Sequence, residues 1–537
     1  MSKTTKQYLF SELKHFLNQK ESYPHQVDEI EHIQTHISHL FLAGSFVYKI
    51  KKPVDFGFLD YSTLQKRRKY CQREIELNRR LSDDIYLGVI GIARDNGKYH
   101  FEPDNPDSDA IIEYAVKMRK LPEEYFLDQI VKEGNLENEH LNRVADILTA
   151  FYQEQNNKQD LLKWGKIETI QQNTDENFEQ TEKFIGQTIS RNSYDAIRYF
   201  TDHYYHQNEE LFRRRMENGL IVDGHGDLHL EHIHITPQKV QIYDCIEFNE
   251  RFRYGDLAAD LAFLAMDLDF NNCSRQERYF VQLMSEKLED EELLKIIDFY
   301  KCYRAYVKGK VKSLQSVEEE VPKENRKQLS ERADRYFNLS LNYTLVGSQP
   351  VVVVFMGRIA TGKSTLAKRL SEQINIECYS SDRVRKSQAG LEIDKRTPSQ
   401  KRRSLYSADM SEKTYNILIS NAIESVKNGN SVILDATFSR KKYRKIFVDR
   451  LMREEISYLF IEVCADDSTI IERLKARENK EEIISDARLE DFDTLTAGYE
   501  KPLEIDQDHI ISIQTAQPGE DTIEQLYRKM IDNHLKR

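Results

Sequence analysis

Two hydrophobic rhythms divide the chain. After residue 350, short apolar runs alternate with stretches of helical period. The runs are 351–356, 376–380, 431–435, 458–464 and 509–513, and the first, Val351-Val352-Val353-Val354-Phe355-Met356, is apolar throughout. Strands covered on both faces read this way. The pattern therefore predicts a parallel sheet between helical layers, with a ligand site at the strands' C-terminal ends. Before residue 347 the pattern is that of antiparallel strands followed by helices. An amphipathic helix at 8–18 leads into strands 36–43 and 46–51, joined at Gly44-Ser45. Helix 64–81, strand 87–94, a turn at Asp95-Asn96-Gly97, a short return strand and strand 110–118 follow. Residues 122–220 read as polar and mostly helical, and two short β runs follow near 233–235 and 240–244. Helix 296–313, the acidic run Glu318-Glu319-Glu320 and helix 324–343 close this first part. The breaker Gly347-Ser348-Gln349-Pro350 is too brief for a flexible tether. Two touching domains are expected, an α+β domain at 1–346 and an α/β domain at 351–537.

Composition narrows the classes. A chain of 537 residues is too long for one core, and 39% hydrophobic with 31% charged residues describes a globular protein. The net charge of −12 opposes non-specific nucleic-acid or membrane binding by the whole molecule. No run approaches a membrane span, and residues 1–20 lack the continuous apolar core of a signal peptide. The six cysteines carry no C-x-x-C, so neither a disulfide framework nor a zinc site is suggested, and a reducing cytoplasm fits. Basic clusters at 66–69, 213–215, 401–403 and 441–445 read as solvated faces. The last two alternatively line an entry for an anionic acceptor such as a phosphosugar, a nucleotide or a polynucleotide end.

The strand at 351–356 runs into Gly357-Arg358-Ile359-Ala360-Thr361-Gly362-Lys363-Ser364-Thr365, which is G-x-x-x-x-G-K-S opening an amphipathic helix. That context makes it a phosphate-binding P-loop. Gly357 and Gly362 let backbone amides, with those around Thr361 and Thr365, wrap a phosphate at a helix N-terminus. Lys363 is expected on the β- and γ-phosphates of ATP and Ser364 on Mg2+. After the second β run, Asp382 and Arg385 lie three apart on one helical face if Ser381 caps it. A carboxylate and an arginine beside a γ-phosphate suit activation of a hydroxyl acceptor and neutralisation of the transferring charge. Asp435 ends the third run, where a second carboxylate holds a Mg2+ water or orients the acceptor. Arg473 and Arg477, at i and i+4, followed by Ser485-Asp486-Ala487-Arg488, look like an arginine-bearing lid.

The first domain has its own chemistry. A strand lysine (Lys49), a helix glutamate (Glu74) and further antiparallel strands form the small lobe of a protein-kinase-like bilobal fold, although such a pair also reads as two surface charges. The stretch His225-Gly226-Asp227-Leu228-His229-Leu230-Glu231-His232-Ile233-His234 is a His-x-Asp loop followed by β runs, the second ending in Asp244. Asp227 is expected to accept or orient the acceptor proton, and Asp244 to hold Mg2+. A metal cluster of His225, His229, His232 and His234, or histidines filling a loop, are the competing readings.

With those residues in view, 46–60, 225–235 and 244–268 resemble the aminoglycoside-phosphotransferase-like kinases, in the branch fused to a P-loop domain. The likeness spans most of 30–310, with Tyr254-Gly255-Asp256-Leu257-Ala258-Ala259-Asp260-Leu261-Ala262 as a second marker. The resemblance implies Lys49 and Glu74 as the phosphate-holding pair, Asp227 as catalytic carboxylate, Asp244 as metal ligand, and residues 113–118 as the hinge that meets adenine. The family places Asn five residues after the catalytic Asp; here His232 stands there. Either His232 serves as ligand, or the lobe has lost metal affinity and turnover. Residues 351–537 are similar to the P-loop kinases related to polynucleotide 5′-kinase, gluconate kinase and zeta-type toxins. The expectation is a tandem ATP- and Mg2+-dependent kinase acting on a small-molecule hydroxyl. A polynucleotide or nucleotide kinase, and a regulatory ATP-binding protein with a non-catalytic first domain, are the alternatives.

Overall fold

The computed structural model describes residues 11–102, 110–155, 159–318, 321–478, 486–515 and 521–536. Residues 8–10 of the first expected helix, Glu319 and Glu320 of the acidic run, and Ser485 lie outside them.

Six antiparallel strands form the first sheet: β1 (Ile30–Gln34), β2 (Ser38–Ala43), β3 (Phe46–Lys51), β4 (Tyr86–Asp95), β5 (Lys98–Glu102) and β6 (Ile111–Arg119), in the order β1-β2-β3-β6-β4-β5. Strand β1 was not anticipated; its His32, Gln34 and Glu31 dilute the apolar alternation. The two-residue turn at Gly44-Ser45 joins Ala43 to Phe46, with Gly44 at φ 61°. One face of the sheet packs Phe41, Tyr48, Ile50 and Ile92 against Leu13, Phe16 and Tyr23. The other packs Val116, Met118 and Tyr86 against Cys71 and Ile75 of helix Leu64–Asn78. That helix starts at Thr63, whose side chain accepts from the Lys66 amide. Further along come β7 (Ile221–Asp223), β8 (Ile233–Ile235), β9 (Val240–Ile242) and β10 (Tyr254–Asp256), pairing as β7·β10 and β8·β9.

The second sheet is parallel, as expected. It holds β11 (Val351–Met356), β12 (Glu377–Ser380), β13 (Val432–Asp435), β14 (Ser457–Cys464) and β15 (Ile510–Gln514), in the order β12-β13-β11-β14-β15. All six residues of β11 are buried, which is the reason its sequence shows no polar alternation.

The compact units do not coincide with the breaker at 347–350. One comprises 1–170, 210–271 and 279–294; the other comprises 171–209, 272–278 and 295–537. Within the second, helices from early in the chain pack on the parallel-sheet domain. Asn338 of helix Lys323–Leu345 accepts from Gln373 of the P-loop helix at 2.6 Å. Tyr199 of helix Arg191–Gln207 donates to Asp532 at 2.8 Å, and Phe200 stacks on His534. No helix among the described residues is long and apolar enough to cross a membrane.

Candidate functional site

In the second unit, the P-loop geometry follows from its glycines. Gly357 has φ 137°, and a Cβ there would sit 2.3 Å from the Val463 carbonyl oxygen, so no other residue fits. Gly362, at φ 104°, is the N-cap of helix Lys363–Ile374. Lys363 is buried, and its ammonium donates to the Arg358 carbonyl at 2.6 Å, folding back on the loop. Burial pushes its pKa from 10.5 down to about 8, against the opposing carboxylates of Asp435 and Asp382. Asp435 closes β13 and accepts from the hydroxyls of Ser364 and Ser380; burial raises its carboxyl. A left-handed glycine cradle, a desolvated lysine and a serine–aspartate pair fit a Mg2+-bound nucleoside triphosphate: Lys363 would meet the phosphates, and Ser364 with Asp435 would hold the cation.

Asp382 and Arg385 share helix Ser381–Gln388, with guanidinium to carboxylate at 3.2 Å. The cap differs from expectation. Ser380 is the N-cap, with no side-chain capping bond, because its hydroxyl is turned to Asp435. Burial raises the Asp382 carboxyl despite Arg385 beside it. Arg385 also stacks over Tyr406, with its guanidinium carbon 4.6 Å from the ring centre.

The two lid arginines separate. Arg473 spends its guanidinium on the P-loop itself and on Thr515 just past β15. It donates to the Thr361 carbonyl at 2.8 Å, the Thr515 hydroxyl at 2.9 Å and the Thr515 carbonyl at 2.7 Å. It is a strut under the phosphate loop. Arg477 has its pKa lowered, by burial first and then by Arg473 and Arg396. Asp486, which the sequence placed only in a lid motif, is a buried anchor. It accepts from the Thr397 amide at 2.8 Å and hydroxyl at 2.6 Å, and it faces the buried Lys386 at 3.5 Å.

In the first unit, β3 puts Lys49 and Lys51 on one face, two residues apart, and Glu74 lies between them. Lys49 meets Glu74 at 2.8 Å and Asp244 at 2.6 Å. Lys51 meets the other Glu74 oxygen at 2.6 Å and also pairs with Glu247, to which Tyr61 donates. Lys51, Glu247 and Tyr61 were missed in the sequence. The i, i+2 spacing of Lys49 and Lys51 on a strand was the available signal. Burial alone would raise the Asp244 carboxyl; the Lys49 ammonium overrides it and holds the group below the usual carboxylate range. Asp244 sits at φ 64°, a strained left-handed conformation for a non-glycine residue, with its amide on the Tyr86 hydroxyl at 3.1 Å.

The 224–232 loop hangs on Asp260 of the second sequence marker. Its two carboxylate oxygens accept from the His225 and Gly226 amides, each at 2.8 Å, and Tyr152 donates to the same group at 2.8 Å. Asp227 lies 3.4 Å from His229 Nε2 and 3.7 Å from His232 Nδ1, and His232 Nε2 is 3.5 Å from Asp244. Burial pushes His232 down to about 4, which leaves a neutral ring. The four histidines do not form one cluster: His225 Nε2 meets the Tyr243 carbonyl at 2.9 Å, and His234 Nε2 meets the Pro122 carbonyl at 3.1 Å.

Two expectations are corrected. Residues 113–118 are not a hinge: they run inside β6, and Ala115 to Met118 pair on both sides, with β3 and with β4, so their backbone is committed to the sheet. The basic clusters are not simply solvated faces. Each holds at least one arginine turned inward into an ion pair: Arg67 with Glu113 at 2.8 Å, Arg215 with Asp256 at 2.6 Å and with Asp290 at 2.9 Å, Arg402 with Glu490 at 2.8 Å, and Arg444 with Glu504 at 2.6 Å. Arg215 and Arg444 are fully buried.

Comparison with known proteins bears on the second unit first. Residues 352–502 match the family model described as AAA domain. An uncharacterized protein of Mycobacterium tuberculosis (strain H37Rv) is 29% identical over 413 residues, which is 76% of this chain and 79% of that protein. An uncharacterized protein of Mycobacterium bovis matches with the same figures. Among solved structures, a gluconokinase from Sinorhizobium meliloti 1021 is similar at 15% identity and TM-score 0.25, over 35% of this chain and 93% of that one. A choline kinase from Cryptosporidium parvum Iowa II is similar at 12% identity and TM-score 0.37, over 59% of this chain and 88% of that one. Sheet order, loop geometry and the match to that model agree on a P-loop nucleotide-binding domain over this part of the chain.

Proposed function

We propose that the chain is an ATP-dependent phosphotransferase whose P-loop unit moves the γ-phosphoryl group to a hydroxyl of a small molecule. The observation that carries this is the Asp382–Arg385 pair set beside Lys363 and Asp435 at the ends of β11, β12 and β13. A motor or switch NTPase needs a residue to orient water. A carboxylate raised by burial and backed by an arginine suits a bulkier acceptor. In the proposed reaction the acceptor oxygen attacks the γ-phosphorus and the bond to the β,γ-bridging oxygen breaks. Asp382 takes the hydroxyl proton, ADP leaves, and Arg385 balances charge on the group in transit. Ser364 and Asp435 would hold Mg2+, which would supply electrostatic neutralisation of the phosphates.

The first unit is proposed as an aminoglycoside-phosphotransferase-like nucleotide site, with Lys49 and Glu74 as its phosphate-holding pair and Asp227 as the acceptor's carboxylate. A regulatory, non-catalytic role for this unit is favoured by one specific observation: Lys49 is already ion-paired to Asp244, and His232 fills the remaining side of that carboxylate. The test feeds labelled ATP and a pool of metabolites and nucleic acids to wild type, Lys363→Ala and Asp227→Ala. Loss of labelled acceptor in Lys363→Ala alone assigns transfer to the P-loop unit. Label on polynucleotide ends would move the acceptor class to nucleic acid. Slow ATP hydrolysis with no labelled acceptor in any form refutes the phosphotransferase reading.

A further inference from the structure

The loop after β7 brings two imidazoles and a carboxylate together. Donor atoms of Asp227, His229 and His232 all lie within 4.8 Å of one another. Two ligands bound about 2.1 Å from one tetrahedral cation stand about 3.4 Å apart. His229 Nε2 stands 3.4 Å from Asp227 Oδ2, which matches. His232 keeps the same kind of spacing through Nε2, 3.5 Å from Asp244 Oδ2. Lys49 is on the opposite oxygen, Asp244 Oδ1.

Orientation is also built in. His229 turns Nε2 toward Asp227, and the neighbouring Asp267 is fixed by the Leu230 amide at 3.0 Å. His232 donates through Nδ1 to the Asp227 carbonyl oxygen at 2.8 Å, which leaves Nε2 as its ligand atom, and its ring lies 3.9 Å from that of His229, centre to centre. Mg2+ takes hard oxygen ligands, whereas imidazole suits Zn2+, Co2+ and their first-row neighbours.

We propose that Asp227, His229 and His232, with Asp244 adjoining, form a site for a first-row transition divalent cation, in place of the Mg2+ site that an Asn at position 232 would give. The proposal rests on the kinase-like reading of this unit for its biological sense. Its test needs neither nucleotide nor turnover, so failure of label transfer and failure of metal binding are separate results.

Full-length protein freed of metal with a chelator is titrated with Co2+ without nucleotide, and ligand-field absorption is followed. One equivalent with a visible band is expected. His229→Ala and His232→Ala should each abolish the band while circular dichroism stays that of wild type. The conservative His232→Asn should lose the band and keep the fold, which covers the case in which alanine variants unfold. Lys363→Ala should retain the band. No band in wild type, a band that survives both histidine substitutions, or a band lost in Lys363→Ala overturns the site.

Discussion

Lys363 carries a cost that can be measured. Its ammonium is buried in the phosphate loop, and burial lowers its pKa from 10.5 to about 8. In the unfolded chain the same group keeps its ordinary value. Between these two values the unfolded state binds more protons, so stability rises with pH there, and below pH 8 the full penalty applies. The difference corresponds to about 3 kcal/mol against the folded state at pH 7. Replacement by Met removes that penalty and also removes the bond from Nζ to the Arg358 carbonyl, worth about 1 kcal/mol. The carbonyl is not orphaned, because the Thr361 hydroxyl donates to it at 3.0 Å. Lys363→Met should therefore stabilise the nucleotide-free protein by about 2 kcal/mol at pH 7, which raises the melting midpoint of a unit this size by roughly 3 °C. Differential scanning calorimetry from pH 7 to 10.5 is the assay. The gain should shrink as the wild-type lysine loses its proton, and added ATP should stabilise wild type but not the variant. An unchanged or lowered midpoint at pH 7, or a gain that does not fade with pH, would refute the reasoning.

Three further outcomes are expected. Asp382→Asn should lower kcat about 10²–10⁴-fold with nucleotide affinity nearly unchanged; because burial raises Asp382 above 3.8, the acid limb of the wild-type rate profile should lie above that pH, activity falling as pH drops through it. Arg473→Lys keeps the charge but cannot span Thr361 and Thr515 together, so nucleotide affinity measured by calorimetry should fall about tenfold with secondary structure intact. Arg444→Ala strips Glu504 of its partner and the Phe438 carbonyl of its 2.7 Å donor, and should cost about 3 kcal/mol in urea unfolding.

The sequence made the P-loop unit legible because period and motif agree there. Apolar runs marked every strand of the parallel sheet to within a few residues, and G-x-x-x-x-G-K-S fixed the loop. Pairings that depend on which way a charged side chain turns were not legible. Four clusters of Lys and Arg look alike in sequence, yet Arg215 and Arg444 are buried while Arg213 makes exposed pairs with Glu210 and Glu217. The carboxylates that decide this, Asp256 and Glu504, lie 41 and 60 residues away. The same distance blindness hid Glu247 from Lys51, 196 residues apart, although the strand spacing of Lys49 and Lys51 hinted that both enter one site. The hinge was misplaced for a local reason: Glu113 to Met118 is as apolar as a segment leaving a sheet and as one lying inside it, and only the pairing partners on both sides tell the two apart.

The interleaved make-up of the second unit has a consequence for biosynthesis. Helix Arg191–Gln207 contributes Tyr199 to a bond with Asp532, 333 residues later. At ribosomal rates of about 5–20 residues per second, that helix waits about 15–70 s before its partner exists. Phe200, which stacks on His534 in the finished molecule, spends that interval without this cover. The parallel-sheet residues are thus made after the helix that packs on them. A stalled or truncated product lacking helix Thr522–His534 leaves Phe200 without the His534 ring. Chaperone engagement during synthesis should concentrate on the nascent chain between those two events.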